Sequence, residues 1–188
     1  MNKIGIFFGT DTGTTRLIAK RIAKKLGDAV CDKPVNVNRV SVADLLHYDA
    51  LILGTPSYGV GELPGIATGV QVGSWAEFLP QLTAADLTGK RVALYGLGNQ
   101  DKYAERFANS LYTLYEQLQA SGAHIVGAWP TAGYEFVHSS AVRDDQFVGL
   151  VLDQHNQALL TDERLDRWLA MILPQLLNEE AAPVSAAG

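Results

Sequence analysis

Residues 9–15 read Gly-Thr-Asp-Thr-Gly-Thr-Thr. They follow a short apolar run, Ile4-Gly5-Ile6-Phe7-Phe8, and precede an amphipathic stretch from Leu17 to Leu26. A turn that feeds a helix points its backbone N–H groups outward with the positive end of the helix dipole behind them. Thr10, Thr12, Thr14 and Thr15 add hydroxyl donors there, and Gly13 permits close backbone approach. The pattern is that of a phosphate cradle, with helix N-capping and turn glycines as the plainer alternative. It has no Gly-Lys-Ser/Thr ending, so it is not the loop that holds a magnesium nucleotide. A nest of neutral donors suits a terminal monophosphate held without metal.

Outward from this turn, strand-like and helix-like stretches alternate. Lys3–Phe8 reads as a strand and residues 14–26 as a helix, with Leu17, Ile18, Ile22 and Leu26 near one face. Val35–Val40 alternates as a half-covered edge strand, and Ser41 with Asp44 opens a short helix. Ala50-Leu51-Ile52-Leu53 is the continuous apolar run of a buried parallel strand. Ser74 and Glu77 make a capping box for a third helix; Arg91–Leu97 is the next strand, and Tyr103–Ala120 a long helix. Ile125–Trp129 is a fifth strand, Phe147–Leu152 a further segment, and Thr161 caps a final helix. Such alternation implies an α/β doubly wound parallel sheet with helices on both faces. The ten residues from Glu179 form a polar and small-residue tail that is expected to be disordered, leaving 1–178 as a single domain.

Composition narrows the function. The 188 residues carry a net charge of −5, against a nucleic-acid partner, which calls for a basic face. No run approaches the apolar length of a membrane span. The single cysteine, Cys31, excludes an intrachain disulfide and fits a cytoplasmic protein. The four histidines, at 47, 124, 138 and 155, show no metal spacing.

In a doubly wound sheet, ligands bind beyond the carboxyl ends of the strands. Three loops stand there. The first is the turn at 9–15. The second, Gly54-Thr55-Pro56-Ser57-Tyr58-Gly59-Val60-Gly61, places an aromatic ring beside glycines. The third, Gly96-Leu97-Gly98-Asn99-Gln100-Asp101-Lys102-Tyr103, offers a second ring. Either tyrosine also reads as a surface residue over the core edge. One nest and two rings on neighbouring strand ends suit a flat, monophosphorylated heteroaromatic ligand.

The segments at 9–15, 55–64 and 96–103, with Trp-Pro-Thr-Ala-Gly-Tyr-Glu-Phe at 129–136 and Phe-Val-Gly-Leu-Val-Leu-Asp at 147–153, resemble the long-chain flavodoxins. The resemblance implies strand order 2-1-3-4-5, FMN as cofactor, no metal, and an insertion at about 130–146 that splits strand five. It implies that Thr10, Asp11, Thr12, Gly13, Thr14 and Thr15 hold the phosphate, Tyr58 covers the inner face of the flavin and Tyr103 the outer. By the same resemblance Ser57, Gly59, Leu97, Gly98 and Asn99 contact the ring edge or its pyrimidine part, and Thr55 and Pro56 of the second loop belong to the cofactor site. Two positions depart from the pattern: Tyr58 stands where Trp is frequent, and Asn99 where Asp is usual.

The implied function is a low-potential one-electron carrier that cycles between semiquinone and hydroquinone. Gly59, which accepts a left-handed backbone cheaply, would turn its carbonyl toward flavin N5. The fully reduced flavin is an anion, disfavoured in an acidic protein, and Asn99 in place of Asp is expected to make its potential less negative. Partners would be a reductase as donor and, from the extended loop at 64–73, the nitrogenase iron protein of nitrogen fixation as acceptor. The loop 59–73, with Leu63, Ile66 and Val70, is expected to give an apolar contact region, or else to pack on its own domain, with Glu62 and Asp101 steering a basic partner. A monomer suffices. The alternative is an FMN-dependent quinone reductase on the same fold. A signalling receiver lacks its acidic residues here: Gly9-Thr10 and Gly54-Thr55 stand in their places.

Overall fold

Four apolar residues, Gly5–Phe8, form β1, buried on both faces, and the chain turns from it into α1, Thr14–Leu26. The computed structural model describes residues 2–10, 13–58 and 61–178. Further along the chain come β2 (Val35–Asn36), α2 (Val42–Leu46), β3 (Ala50–Pro56), α3 (Trp75–Thr83), β4 (Arg91–Leu97), α4 (Ser110–Ala120) and β5 (His124–Val126). The short strands β6 (Trp129–Pro130), β7 (Val142–Arg143) and β8 (Gln146–Phe147) precede β9 (Leu150–Leu152) and α5 (Thr161–Leu176).

The main sheet is parallel, in the order β2-β1-β3-β4-β5. The fifth position is shared. Arg91–Ala93 of β4 pair with His124–Val126, while Tyr95–Leu97 pair with Leu150–Leu152. The chain leaves the sheet between these halves and builds a small antiparallel sheet, β6-β8-β7. The expected strand Ile125–Trp129 is therefore two pieces, with Gly127 at φ +89 where the chain departs. Phe147–Leu152 is likewise divided, Phe147 serving the small sheet and Leu150–Leu152 the large one.

Helices α1 and α5 pack on one face of the sheet and α3 and α4 on the other. One contiguous apolar cluster runs through both layers, with Trp75, Trp168, Tyr95 and Phe107 its largest buried side chains. The three tryptophans, at 75, 129 and 168, are all core.

Three local expectations need correction. Val35–Val40 is a strand for only two residues, because Asn36 caps a 3-10 turn at Val37–Arg39 whose Val37 is buried. The long helix does not start at Tyr103. Ala104–Arg106 is a 3-10 turn, and Ala108, at φ +53, breaks the path before α4 begins at Ser110. Thr161 does not cap α5; Leu160 holds that position, and the buried Thr161 hydroxyl donates to Gln154 Oε1. The tail from Glu179 lies outside the described residues.

Candidate functional site

The loops at the carboxyl ends of β1, β3, β4 and β9 surround a cavity of about 260 Å³. One glycine fixes the packing behind its Thr15 wall. Gly54 has no Cβ because one would stand 1.9 Å from Cζ of Tyr95. The Tyr95 ring thus crosses under β3, and its hydroxyl donates to the carbonyl of Thr15 at 2.9 Å. Burial pushes that hydroxyl's pKa well above the ordinary range, so it stays a donor. The Gly54 carbonyl in turn accepts from Gly9 N (3.1 Å) and from the Trp75 indole (2.8 Å). The first turn is thereby tied to β3, β4 and α3 before any ligand enters.

In the nest, Gly13 takes φ +92 and its N–H donates to Thr10 Oγ1 at 2.9 Å. Thr14 and Thr15 line the cavity. Thr15 is 1% exposed, and its Oγ1 is buried with no hydrogen-bond partner among the described residues. A buried hydroxyl left unpaired costs about 1–3 kcal/mol, so the site is short of one acceptor. A phosphate oxygen would fit that position as the missing acceptor. Asp11 and Thr12 lie outside the described residues.

From the second loop, Pro56, Ser57 and Tyr58 line the cavity. Thr55 does not; it is fully buried, with its hydroxyl donating to the Pro56 carbonyl. Ser57 Oγ lies 2.7 Å from Ser110 Oγ, and Ser110 Oγ donates to the Pro56 carbonyl at 2.8 Å. These bonds lash the loop to the start of α4. Beyond Ser57 the chain closes on itself: Gly61 N and Glu62 N both donate to the Tyr58 carbonyl at 2.8 Å, and Tyr58 N donates to Glu62 O. Gly61 is required there, at φ +94 and against Cβ of Asn109. Gly59 lies outside the described residues.

From the third loop, Leu97, Gly98, Asn99 and Tyr103 line the cavity. Asn99 Oδ1 accepts from Lys102 N (3.0 Å) and from Asn156 Nδ2 (2.9 Å). Asp153, fully buried, accepts from Gln100 N, His155 N, Asn156 N and Asn156 Nδ2, joining the loops after β4 and β9.

The structure also brings in residues that the sequence reading did not single out: Gly61, Lys102, Arg106, Ala108, Gln154 and His155. Gln154 and His155 follow β9, and the strand-end rule applied to the second half of the split strand points to them. Lys102 and Arg106 flank Tyr103 at one and three residues. Among the described residues no cluster of His, Cys, Asp and Glu could hold a metal, and no helix is long and apolar enough to cross a membrane.

The loop at 61–73 mixes the two expected roles. Leu63 packs on the core and Val70 is 4% exposed, so both serve the domain, whereas Ile66 and Val72 stand out at 62% and 74%. Glu77 organises the loop: Oε2 accepts from Ser74 N and Oε1 from Ile66 N, both at 2.7 Å. Partial burial pulls this carboxyl's pKa up, but the donors from Ser74 and Ile66 prevail and hold it low. Ser74 contributes only its backbone to the cap; its hydroxyl is buried without a partner among the described residues.

Known proteins match this chain closely. The flavodoxin family model matches residues 6–168. A flavodoxin of Klebsiella pneumoniae is 52% identical over 172 residues, covering 92% of this chain and 97% of that protein. Flavodoxin 1 of Escherichia coli (strain K12) is 44% identical over 177 residues, covering 94% and 96%. The solved structure of Fusobacterium nucleatum flavodoxin bound to flavin mononucleotide matches with a TM-score of 0.84 at 35% identity, covering 94% of this chain and 99% of that one. With its strand order, its split fifth strand and its cavity at the strand ends, the chain belongs to the flavodoxin family.

Proposed function

We propose that residues 1–178 form one FMN-binding domain that carries single electrons at low potential between redox proteins in the cytoplasm. Flavodoxins are electron carriers rather than enzymes, and the quinone-reductase alternative is set aside on that ground. FMN is the cofactor of the homologous solved structures. The observation that carries the reading is the Thr15 hydroxyl, without a partner among the described residues and buried at the mouth of a helix whose turn has Gly13 in the left-handed conformation. Bound flavin supplies one-electron chemistry; the protein supplies binding, orientation and electrostatics.

In this reading the turn at residues 10–15 holds the phosphate. Tyr58 and Tyr103 cover the two faces of the ring, and Ser57, Leu97, Gly98 and Asn99 meet its edge. Gly59 offers its carbonyl to a proton at flavin N5, a role supported by the neighbouring Tyr58 carbonyl being occupied by two N–H donors. The working couple lies between the one-electron and the fully reduced forms.

A reductase is the proposed donor and the nitrogenase iron protein the proposed acceptor, with the domain acting as a monomer. The acceptor rests on the loop at 64–73, where Ile66 and Val72 offer exposed apolar surface. The decisive test is flavin uptake by the apoprotein. FMN should bind in a one-to-one ratio and quench its fluorescence, while riboflavin, lacking the phosphate, should bind far more weakly. Equal affinity for the two would remove the phosphate nest from the account. For the acceptor, Ile66→Ser with Val72→Ser should slow electron transfer to a nitrogenase iron protein while FMN binding is unchanged; an unchanged rate removes the loop from that role.

A further inference from the structure

We propose that Lys102 and Arg106 set how strongly this protein favours reduced over oxidised flavin, by placing two positive charges beside a ring that becomes an anion. The inference rests on the reading of the cavity as an FMN site. The chain is acidic overall, with a net charge of −5, yet its described cavity lining contains Lys102 and Arg106 and no carboxylate. Asp101 and Glu105 alternate with these cations in sequence but lie outside the lining.

Backbone geometry separates the two signs. The 3-10 turn at Ala104–Arg106 is closed by Arg106 N donating to Tyr103 O at 3.1 Å. In such a turn residues three apart eclipse one another, so Arg106 shares the cavity side with Tyr103 while Glu105 points elsewhere. The Lys102 ammonium lies 5.3 Å from the centre of the Tyr103 ring, which fixes it to a side chain that itself lines the cavity. Neither cation forms an ion pair among the described residues, so neither is held in contact with a carboxylate.

Full reduction adds two electrons and one proton to the ring and leaves one negative charge. In operation the electrons come from a redox protein, and in the test from dithionite. A cation several ångströms away lowers the free energy of that anion and leaves the neutral oxidised ring almost untouched. Both side chains are exposed, so solvent and salt weaken the effect. About three- to tenfold per cation, in the ratio of reduced to oxidised affinity, is the expected size at low salt.

The test is a redox titration of the FMN-loaded full chain at low and high salt. Arg106→Gln and Lys102→Gln should each lower the ratio by about three- to tenfold, and Arg106→Glu by about the square of the Arg106→Gln factor. Arg106→Lys should keep most of the parent ratio, and high salt should shrink every difference. Glu105→Gln should move the ratio by less than half as much on a logarithmic scale, since its charge lies outside the lining. The inference is overturned if Arg106→Gln and Arg106→Glu stay within twofold of the parent at low salt, or if Arg106→Lys falls as far as Arg106→Gln. Flavin uptake is read before any reductant is added. Failure of the parent to bind FMN would overturn the site itself, whereas binding with unmoved ratios would overturn only the role of the cations.

Discussion

Asn156 donates its side-chain amide to Oδ1 of Asn99 at 2.9 Å, and this bond determines what Asn99 can offer a ligand. Oδ1 also accepts from the backbone N–H of Lys102, an unambiguous donor, so the amide's orientation is fixed. The oxygen is spent on the protein, and Nδ2 is the group left for the cavity. An aspartate at this position would keep both bonds through one oxygen and present a charged acceptor with the other.

Asn99→Asp is therefore a substitution that conserves shape and changes charge. We expect it to make the second one-electron potential more negative by about 59 mV, a tenfold change in the equilibrium, with little loss of stability. Spectroelectrochemical titration measures it; an unchanged or raised potential contradicts the role given to Asn99.

Thr15→Val removes the buried hydroxyl that has no partner among the described residues. Hydrogen bonds to charged groups are worth about 1.5–3 kcal/mol, so FMN affinity should fall about ten- to a hundredfold. Riboflavin affinity should not change, and the apoprotein should gain about 1 kcal/mol because an unsatisfied polar atom is gone. Calorimetric titration with both flavins checks the contrast. An equal loss for both flavins would show that the effect is not at the phosphate.

Gly54→Ala should unsettle the site through the packing behind Thr15. The new Cβ would meet the Tyr95 ring 1.9 Å away, and that ring is fully buried with its hydroxyl anchored on Thr15 O. A cost of about 3 kcal/mol is expected from forced overpacking, visible as a lower urea midpoint. A loss below about 1 kcal/mol would mean that the ring has room to move.

The inserted segment carries its own pH dependence. The Tyr134 hydroxyl accepts from the Trp129 indole at 3.0 Å and donates to the Val151 carbonyl. Burial raises its pKa from 10.0 to about 12. The folded state thus holds this proton more tightly than the unfolded chain. The stabilisation is complete below pH 10 and is lost as pH rises through the interval to about 12. Tyr134→Phe should cost about 1–3 kcal/mol at neutral pH, because two buried partners lose their bonds. It should also flatten the alkaline fall in stability by at most about 1.4 kcal/mol per pH unit. Denaturant midpoints at pH 7 and across pH 10–12 test both; parallel curves for parent and variant would contradict the assignment.

Much of this architecture was legible in the sequence because the sheet is buried on both faces. Apolar runs such as Ala50–Leu53 and Arg91–Leu97 leave little choice of element, and Thr14, Thr15, Tyr58 and Tyr103 do reach one cavity from separate loops. The illegible parts are those where a tertiary bond overrides a local pattern. Val35–Val40 alternates like a strand, but Asn36 caps a 3-10 turn that buries Val37. Tyr103–Ala120 has helical spacing, but Phe107 N is drawn to the His138 carbonyl and Ala108 is forced to positive φ. Thr55 belongs to the right loop, yet its side chain turns inward to the Pro56 carbonyl. Lys102 and Arg106 escaped notice because sequence spacing cannot tell which of four adjacent charges faces the cavity; the 3-10 turn decides it.

A one-electron carrier built on a phosphate nest and two covering rings leaves its mark in the visible spectrum of the FMN-loaded protein during stepwise dithionite reduction under argon. A long-wavelength band of one-electron-reduced flavin should grow, persist and then bleach. Flavin that passes straight from the oxidised to the two-electron-reduced spectrum, with no such band, would contradict one-electron carriage.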